Sequence, residues 1–475
     1  MTQATQSAWR SKLDYSHGKE LAIQVLLGAM ATLDLRTAML AKLKLEGELL
    51  KAGDTSLSLR RPPRVVAFGK AANRMAAVLD EILGGRVEAG VCVSPGEPAR
   101  KLGHFRYFVG GHPYPKAGTL EGARAALELV SDLTDEDAVI FLVSGGGSAI
   151  FEQPFDSDVS LSDLHEFNRV LVTCGLPIEQ INVLRKHTSA VKGGRLGVRT
   201  YPAQQLTIYI SDVPELLFSM VASGPTLPDE STAEQAYAIA EQNGLVPRFP
   251  PSIRKRFQQH TLEETPKPGD KRFKHSQSVC LLSNRNAVEA AKAAGEKLGF
   301  ESEIDSSFWD EDYQQVARSH LASVKALSEA HEGKPVCLIA GGEVICPVTG
   351  PGVGGRNQAY ALYAAQSIAG QSRVVLSAGT DGRDGNSPTS GAVADGQSIS
   401  RALALGLDPA HYLAESDSYS FFRTLGDTVD IGYMDNNLRD VRVWLDFGSG
   451  ARDWGLEKNR RQGSVAAVNH FGSAS

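Results

Sequence analysis

Five stretches of the chain are almost wholly apolar and close on small or polar residues. They are Val65–Phe68 before Gly69-Lys70, Val139–Val143 before Ser144-Gly145-Gly146-Gly147-Ser148, Leu206–Ile210 before Ser211-Asp212, Val336–Ala340 before Gly341-Gly342-Glu343, and Val374–Ala378 before Gly379-Thr380-Asp381. Runs without alternation predict strands covered on both faces, as in parallel sheets. Helical spacing appears between them, at Gly118–Leu133, Ala233–Asn243, Ala287–Leu298 and Tyr313–His331. Strand and helix in turn predict an α/β fold with mostly parallel sheets. In such sheets ligands bind beyond the carboxyl ends of the strands, where this chain gathers its polar residues.

The 475 residues exceed what one hydrophobic core usually holds, so two domains are expected. The proline- and charge-rich stretch from Pro247 to Gln277 marks the connection. This reading gives an N-terminal α/β domain over residues 1–260 and a C-terminal one over 275–450. Residues 451–475, which lack periodic apolar positions, form an accessory tail. A net charge of −6 offers no footprint for a polyanion, which argues against nucleic acid as the main ligand. The five cysteines include no CxxC pair and fit a reduced compartment. Neither a signal pattern nor an apolar segment of ~18 residues is present, so a cytoplasmic protein without a membrane partner is expected. Leu21, Val25, Ala29 and Leu33 give the first helix an apolar stripe.

Candidate chemistry sits at the strand ends. Gly145, Gly146 and Gly147 lack Cβ atoms, so backbone N–H groups there can converge on an anion, with Ser148 opening a helix. Lys70 follows another strand and a glycine, a position for a mobile cation facing a transferring phosphoryl group. In the segment Asn182–Arg195, helical spacing would align Arg185, Ser189 and Lys192 as a basic patch around a hydroxyl. His187 has no partner at metal-ligand spacing and reads as structural. Asp212, Asp381 and Asp384 are carboxylates just past two strands, suited to Mg²⁺ or to a general base. The stretch Gly350–Gln358 brings Gly354, Gly355 and Asn357 to a helix start, with Arg356 offering a planar fork for phosphate or carboxylate. No GxxxxGK[ST] loop occurs and no GxGxxG opens a helix after a strand, so P-loop and dinucleotide readings lose ground.

In order along the chain stand Phe68-Gly69-Lys70-Ala71, Gly110-Gly111-His112-Pro113, Ser144–Ala149, Arg185-Lys186-His187 with Lys192-Gly193-Gly194, Ser211-Asp212-Val213, Ala222-Ser223-Gly224-Pro225-Thr226, Gly341-Gly342-Glu343, Gly354–Gln358 and Gly379-Thr380-Asp381-Gly382. From about His17 to Leu445 the chain thereby resembles the glycerate 2-kinase family, which joins a glycerate-kinase N-terminal domain to a MOFRL domain. The resemblance implies two α/β domains with an active-site cleft between them. The implied reaction is ATP-dependent phosphorylation of D-glycerate, or a related small hydroxy acid, to 2-phosphoglycerate with Mg²⁺. It also implies roles. Lys70 and Arg356 would handle phosphate and Asp212 would deprotonate the hydroxyl. Gly145, Gly146, Gly147, Ser148, Gly354, Gly355 and Asn357 would hold nucleotide phosphates. Arg185, Lys192 and Ser223 would bind the acid, and Asp381 and Asp384 the metal. A homodimer is left open.

Two stretches depart from the family. Pro214–Phe218 stands where Gly-Asp usually continues, and Ile431–Asn437 replaces a threonine-rich stretch. They motivate an alternative, a non-catalytic relative that binds an acid or a nucleotide. The other alternative, an NAD(P)H-dependent hydroxypyruvate reductase, needs a dinucleotide fingerprint that the chain lacks.

Overall fold

The computed structural model describes residues 15–211, 220–307, 311–332, 334–432, 434 and 437–448. They divide into two compact units. One holds 32–286 together with 434 and 437–438; the other holds 15–31, 287–432 and 439–448.

The first unit is built on six strands in the spatial order Phe105–Val109, Ala89–Ser94, Arg64–Phe68, Ala138–Val143, Gln204–Ile210 and Ser276–Leu282, every pair parallel. Ala138–Val143 is buried at all six positions, which is why its sequence carries no polar alternation. The helix Ala117–Leu129 lies close on the sheet because it is lined with small residues. A Cβ on its Gly122 would come within 2.5 Å of a Val93 methyl. A three-stranded antiparallel sheet, Leu43–Glu46, Leu49–Ala52 and Thr55–Ser58, belongs to the same unit. A separate core of Phe167, Tyr237, Phe249 and Phe257 gathers the helices Leu161–Thr173, Ala233–Gln242 and Pro251–Gln258.

The proline-rich stretch is not the place where the chain changes unit. Asp229 donates its backbone N–H to Pro266, Thr265 is buried, and Ser276–Leu282 then pairs with Gln204–Ile210 inside the first sheet. The division therefore falls between Asn286 and Ala287. The first helix, Tyr15–Thr32, belongs through Ala31 to the other unit. Lys19 is buried against Asp427 at 2.8 Å and Asp395 at 3.2 Å, and a Cβ on Gly18 would be 2.9 Å from Val374. Residues 451–475 lie outside the described residues. No single described helix is long and apolar enough to cross a membrane.

The second unit also carries six strands, in the order Glu301–Asp305, Val336–Ala340, Asp440–Asp446, Arg373–Gly379, Gly391–Asp395 and Thr428–Val429. Its α/β character matches expectation, but its sheet is mixed: only the first pair is parallel. The cause is connection length and insertion. The link from Gly379 to Gly391 is too short for a helical crossover, so these strands run antiparallel, and Asp440–Asp446 enters between two strands that precede it. Helices Tyr313–Ala330 and Arg356–Ser367 cover a core centred on Tyr360, Phe421, Phe422 and Trp444.

Candidate active site

In the first unit two neighbouring strand ends are tied together by Ser144. Its N–H donates to Phe68 O at 3.1 Å and its Oγ accepts the N–H of Ala71 at 3.0 Å. The fit requires a glycine at 69: with φ of +116°, a Cβ there would lie 2.4 Å from Ser144 O. Lys70 is then fixed by its own N–H to Gly145 O at 3.0 Å. The chain turns through Gly146 at φ +79° into the short helix Gly147–Ile150.

The backbone N–H groups of Gly145, Gly146, Gly147 and Ser148 have no acceptor among the described residues. The Lys70 ammonium and the Arg185 guanidinium, both near enough to His112 to act on its charge, make no hydrogen bond or ion pair with any described residue. Burial pushes the Arg185 pKa below its ordinary value, with Glu152 opposing. The ring of His112 completes the group. Its Cδ2 lies 3.1 Å, and Lys70 Cγ 3.3 Å, from where a Cβ on Gly146 would stand. Burial, then Lys70, then Arg185 hold the imidazole below its usual pKa, which keeps it neutral at pH 7. Among the described residues, four donors without acceptors and two cations without a hydrogen-bonded or ion-paired partner make a site for an anion.

A second turn closes on this one. Ala222 and Ser223 have φ of +52° and +61°, and Gly224 follows at +60°. Two non-glycine residues in that region cost on the order of 1–3 kcal/mol each. Gly193 and Gly194 hold the turn, their N–H groups donating to Ser223 O at 3.0 Å and Gly224 O at 2.7 Å. It packs so tightly on the glycine loop that a Cβ on Gly147 would be 2.6 Å from that of Ala222. Ser148 Oγ lies 2.9 Å from Ser223 Oγ, which in turn donates to Asn182 Oδ1 at 3.0 Å.

The predicted patch of Arg185, Ser189 and Lys192 does not share one helical face, because the helix Ile178–His187 ends before two of them. Arg185 remains at the anion site. Lys192 is fully buried, paired to Glu152 and donating to Phe151 O at 3.3 Å, while Ser189 Oγ donates to Glu152 Oε1 at 2.5 Å. Lys192 therefore braces the chain leaving the glycine loop instead of reaching a ligand. Burial lowers its pKa, against the pull of Glu152. His187 is structural: fully buried, it sits 2.9 Å from Val183 O through Nδ1. Asp212 lies outside the described residues.

In the second unit protein carboxylates occupy the positions expected to hold phosphate. Arg356 meets Asp440 through Nε at 2.7 Å and Nη2 at 2.9 Å, and Glu343 through Nη2 at 2.8 Å. Burial would lower the Arg356 pKa, but Asp440 and then Glu343 hold it above its ordinary value. Asp384 caps the helix Arg356–Ser367, accepting the N–H of Asn357 at 3.0 Å and of Gln358 at 2.8 Å. Asn357 is consumed as well: its amide donates to Asp384 and Asp440 and accepts from Ser377 Oγ. The glycines serve the chain's own packing. A Cβ on Gly352 would be 2.4 Å from Asp417 Cβ, on Gly354 2.4 Å from Ser418 Oγ, and on Gly355 2.3 Å from Asp384. Gly354 donates its N–H to Asn386.

The structure gives Asp384 a task other than holding a metal. Both oxygens of Asp384 are taken by N–H groups, burial pushes its pKa up to about 6, and Asp381 accepts the N–H of Arg383. Among the described residues no cluster of three His, Cys, Asp or Glu could hold one. A cavity of about 550 Å³ borders this region, lined by Tyr313, Cys346, Val348, Gly354, Arg356 and Tyr412 among others.

Sequence reasoning assigned no role to His112, Asn182, Glu343 or Asp440. His112 follows the strand Phe105–Val109, whose Arg106 breaks the apolar run that marked the other strand ends. Asn182 lies one helical turn before Arg185, a spacing that was readable.

An anion site at the carboxyl ends of a parallel sheet, in a chain with a second α/β unit, defines a phosphate-handling α/β protein of two parts. The description "Domain of unknown function (DUF4147)" covers residues 21–258, and the MOFRL family covers residues 336–440. The chain belongs to the glycerate 2-kinase family, which combines these two parts. The D-glycerate 2-kinase of Thermotoga maritima is 36% identical to it over 80% of this chain and 90% of its own length. The glycerate 2-kinase of Pyrococcus horikoshii is 29% identical, over 90% of this chain and 96% of its own. The crystal structure of the Thermotoga maritima glycerate kinase matches with a TM-score of 0.78 at 33% identity, covering 90% of this chain and 99% of that one.

Proposed function

We propose that the chain transfers a phosphoryl group from ATP to the 2-hydroxyl of D-glycerate, or of a related small hydroxy acid, giving 2-phosphoglycerate. The observation that carries this reading is the cluster of four N–H groups, Lys70 and Arg185, none with a hydrogen-bond or ion-pair partner among the described residues. Names of relatives that cover most of the chain support the same reaction. Phosphoryl transfer asks chiefly for positioning and charge stabilisation. The N–H groups of Gly145–Ser148 and the Lys70 ammonium suit the moving phosphoryl group. The Arg185 fork suits the carboxylate of the acid. Asp212 is the sequence's candidate for taking the hydroxyl proton. Arg356, filled by Asp440 and Glu343, becomes a positioning residue. Mg²⁺ is assigned to neither Asp381 nor Asp384.

The test is ATP consumption with a panel of C3 to C5 hydroxy acids, run beside NADH oxidation with hydroxypyruvate. Turnover of ATP with D-glycerate and a silent NADH signal are expected. NADH oxidation, or no ATP turnover with any acid, would overturn the reading.

A further inference from the structure

Around the glycine loop, the groups that lack a hydrogen-bond partner among the described residues are nearly all donors: four N–H groups, an ammonium and a guanidinium. Ser148 differs. A hydroxyl has one proton to give and lone pairs to accept with. Ser223 spends its proton on the carbonyl oxygen of Asn182 at 3.0 Å, so across the 2.9 Å contact it accepts from Ser148. That commits the proton of Ser148, and the half-buried Ser148 Oγ faces a ligand as an acceptor only. Ser223 is fully buried and locked by its left-handed backbone and by the N–H of Gly193, so the relay has one direction.

We propose that Ser148 is a specificity-determining residue that accepts a hydrogen bond from the ligand's alcohol O–H, and that Ser223 and Asn182 set this polarity. Resting on the hydroxy-acid reading above, the inference goes further by saying how the site tells a hydroxy acid from its keto analogue. A 2-keto oxygen offers no proton and would meet the lone pairs of Ser148. A 2-hydroxyl donates to Ser148 while the donors around it hold the acid's charges. Among the described residues His112, a neutral imidazole, is the competing acceptor, and Asp212, the sequence's candidate base, competes for the same proton.

Calorimetry on the full chain without nucleotide tests this, using D-glycerate, 3-hydroxypropionate, which lacks the 2-hydroxyl, and hydroxypyruvate. D-glycerate is expected to bind about tenfold or more tightly than the other two, the scale of one hydrogen bond to a buried partner. Ser148→Ala should erase that advantage while leaving the two analogues within about twofold, a ratio that a general loss of structure would not produce. Ser223→Ala frees the Ser148 proton and should narrow the gap between D-glycerate and hydroxypyruvate. An advantage that survives Ser148→Ala would place the acceptor elsewhere, at His112 or Asp212, and overturn the proposal. So would equal weakening of all three acids. If the wild-type chain neither binds D-glycerate nor phosphorylates it, the hydroxy-acid reading falls and takes this inference with it.

Discussion

Arg356 and Asp440 form a two-point ion pair, with Nε 2.7 Å from one carboxylate oxygen and Nη2 2.9 Å from the other. Asp440 is fully buried, and Arg442, also buried, reaches the same carboxylate at 3.2 Å. Removing Arg356 takes away the stronger of its partners. Because Arg442 stays on the carboxylate, Arg356→Ala should destabilise the protein by about 1.5–3 kcal/mol, the scale of hydrogen bonds to a charged group. Urea unfolding of the variant checks this, and an unchanged midpoint would return Arg356 to the role of a free phosphate clamp.

Lys70 and Arg185 should behave in the opposite way. Neither makes a hydrogen bond or ion pair with a described residue, so Lys70→Ala and Arg185→Ala lose no contact of that kind. Turnover should fall on the order of 10²-fold or more, as for other aimed donors, with the melting temperature preserved. Steady-state kinetics beside a thermal melt separates the two quantities. Near-normal turnover in both folded variants would refute the roles assigned to them.

Asp384→Asn distinguishes a cap from a metal ligand. The variant keeps its shape but loses charge and acceptor strength at the start of Arg356–Ser367, so stability should fall by about 1–2 kcal/mol. The Mg²⁺ concentration giving half-maximal activity should not change. A shift of that concentration by a factor of ten would restore Asp384 to the metal.

His320 predicts an acid limb in stability. Burial, then Arg442, lower its pKa to about 3, against an ordinary 6.5, with Asp305 opposing. A histidine held neutral in the fold stabilises fully above its unfolded pKa, and that contribution is lost as pH falls from 6.5 toward 3. Melting temperatures across this range should decline in the wild type and decline less in His320→Gln. Identical pH profiles for the two proteins would remove His320 as the cause.

The first unit was legible because its sheet is covered on both faces. Val139–Val143 could only be an inner strand, and the glycines after it fell where ligands bind. Arg185 was legible by charge, but Lys192 was not, since a lysine paired with a buried Glu152 forty residues away looks in sequence like one facing solvent. Arg356 misled for the same reason. Its partner Asp440 arrives from the last described strand, and local spacing carries no record of that encounter. The glycines of Gly352–Gly355 read as room for a ligand, whereas the space is filled by Asp384 and by Asp417 and Ser418. The mixed second sheet was hidden as well, because Val374–Ala378 is as apolar as any parallel strand and only its tight connection to Gly391 reverses the direction.

The ammonium of Lys19 waits 408 residues for Asp427. On a ribosome the helix that carries it emerges long before the segments that hold its two carboxylate partners. The unit from Thr32 to Asn286 can collect most of its own parts while that helix is still without a home. Chaperone contact during synthesis should therefore concentrate on Leu21, Val25 and Leu26, residues that are covered in the finished protein.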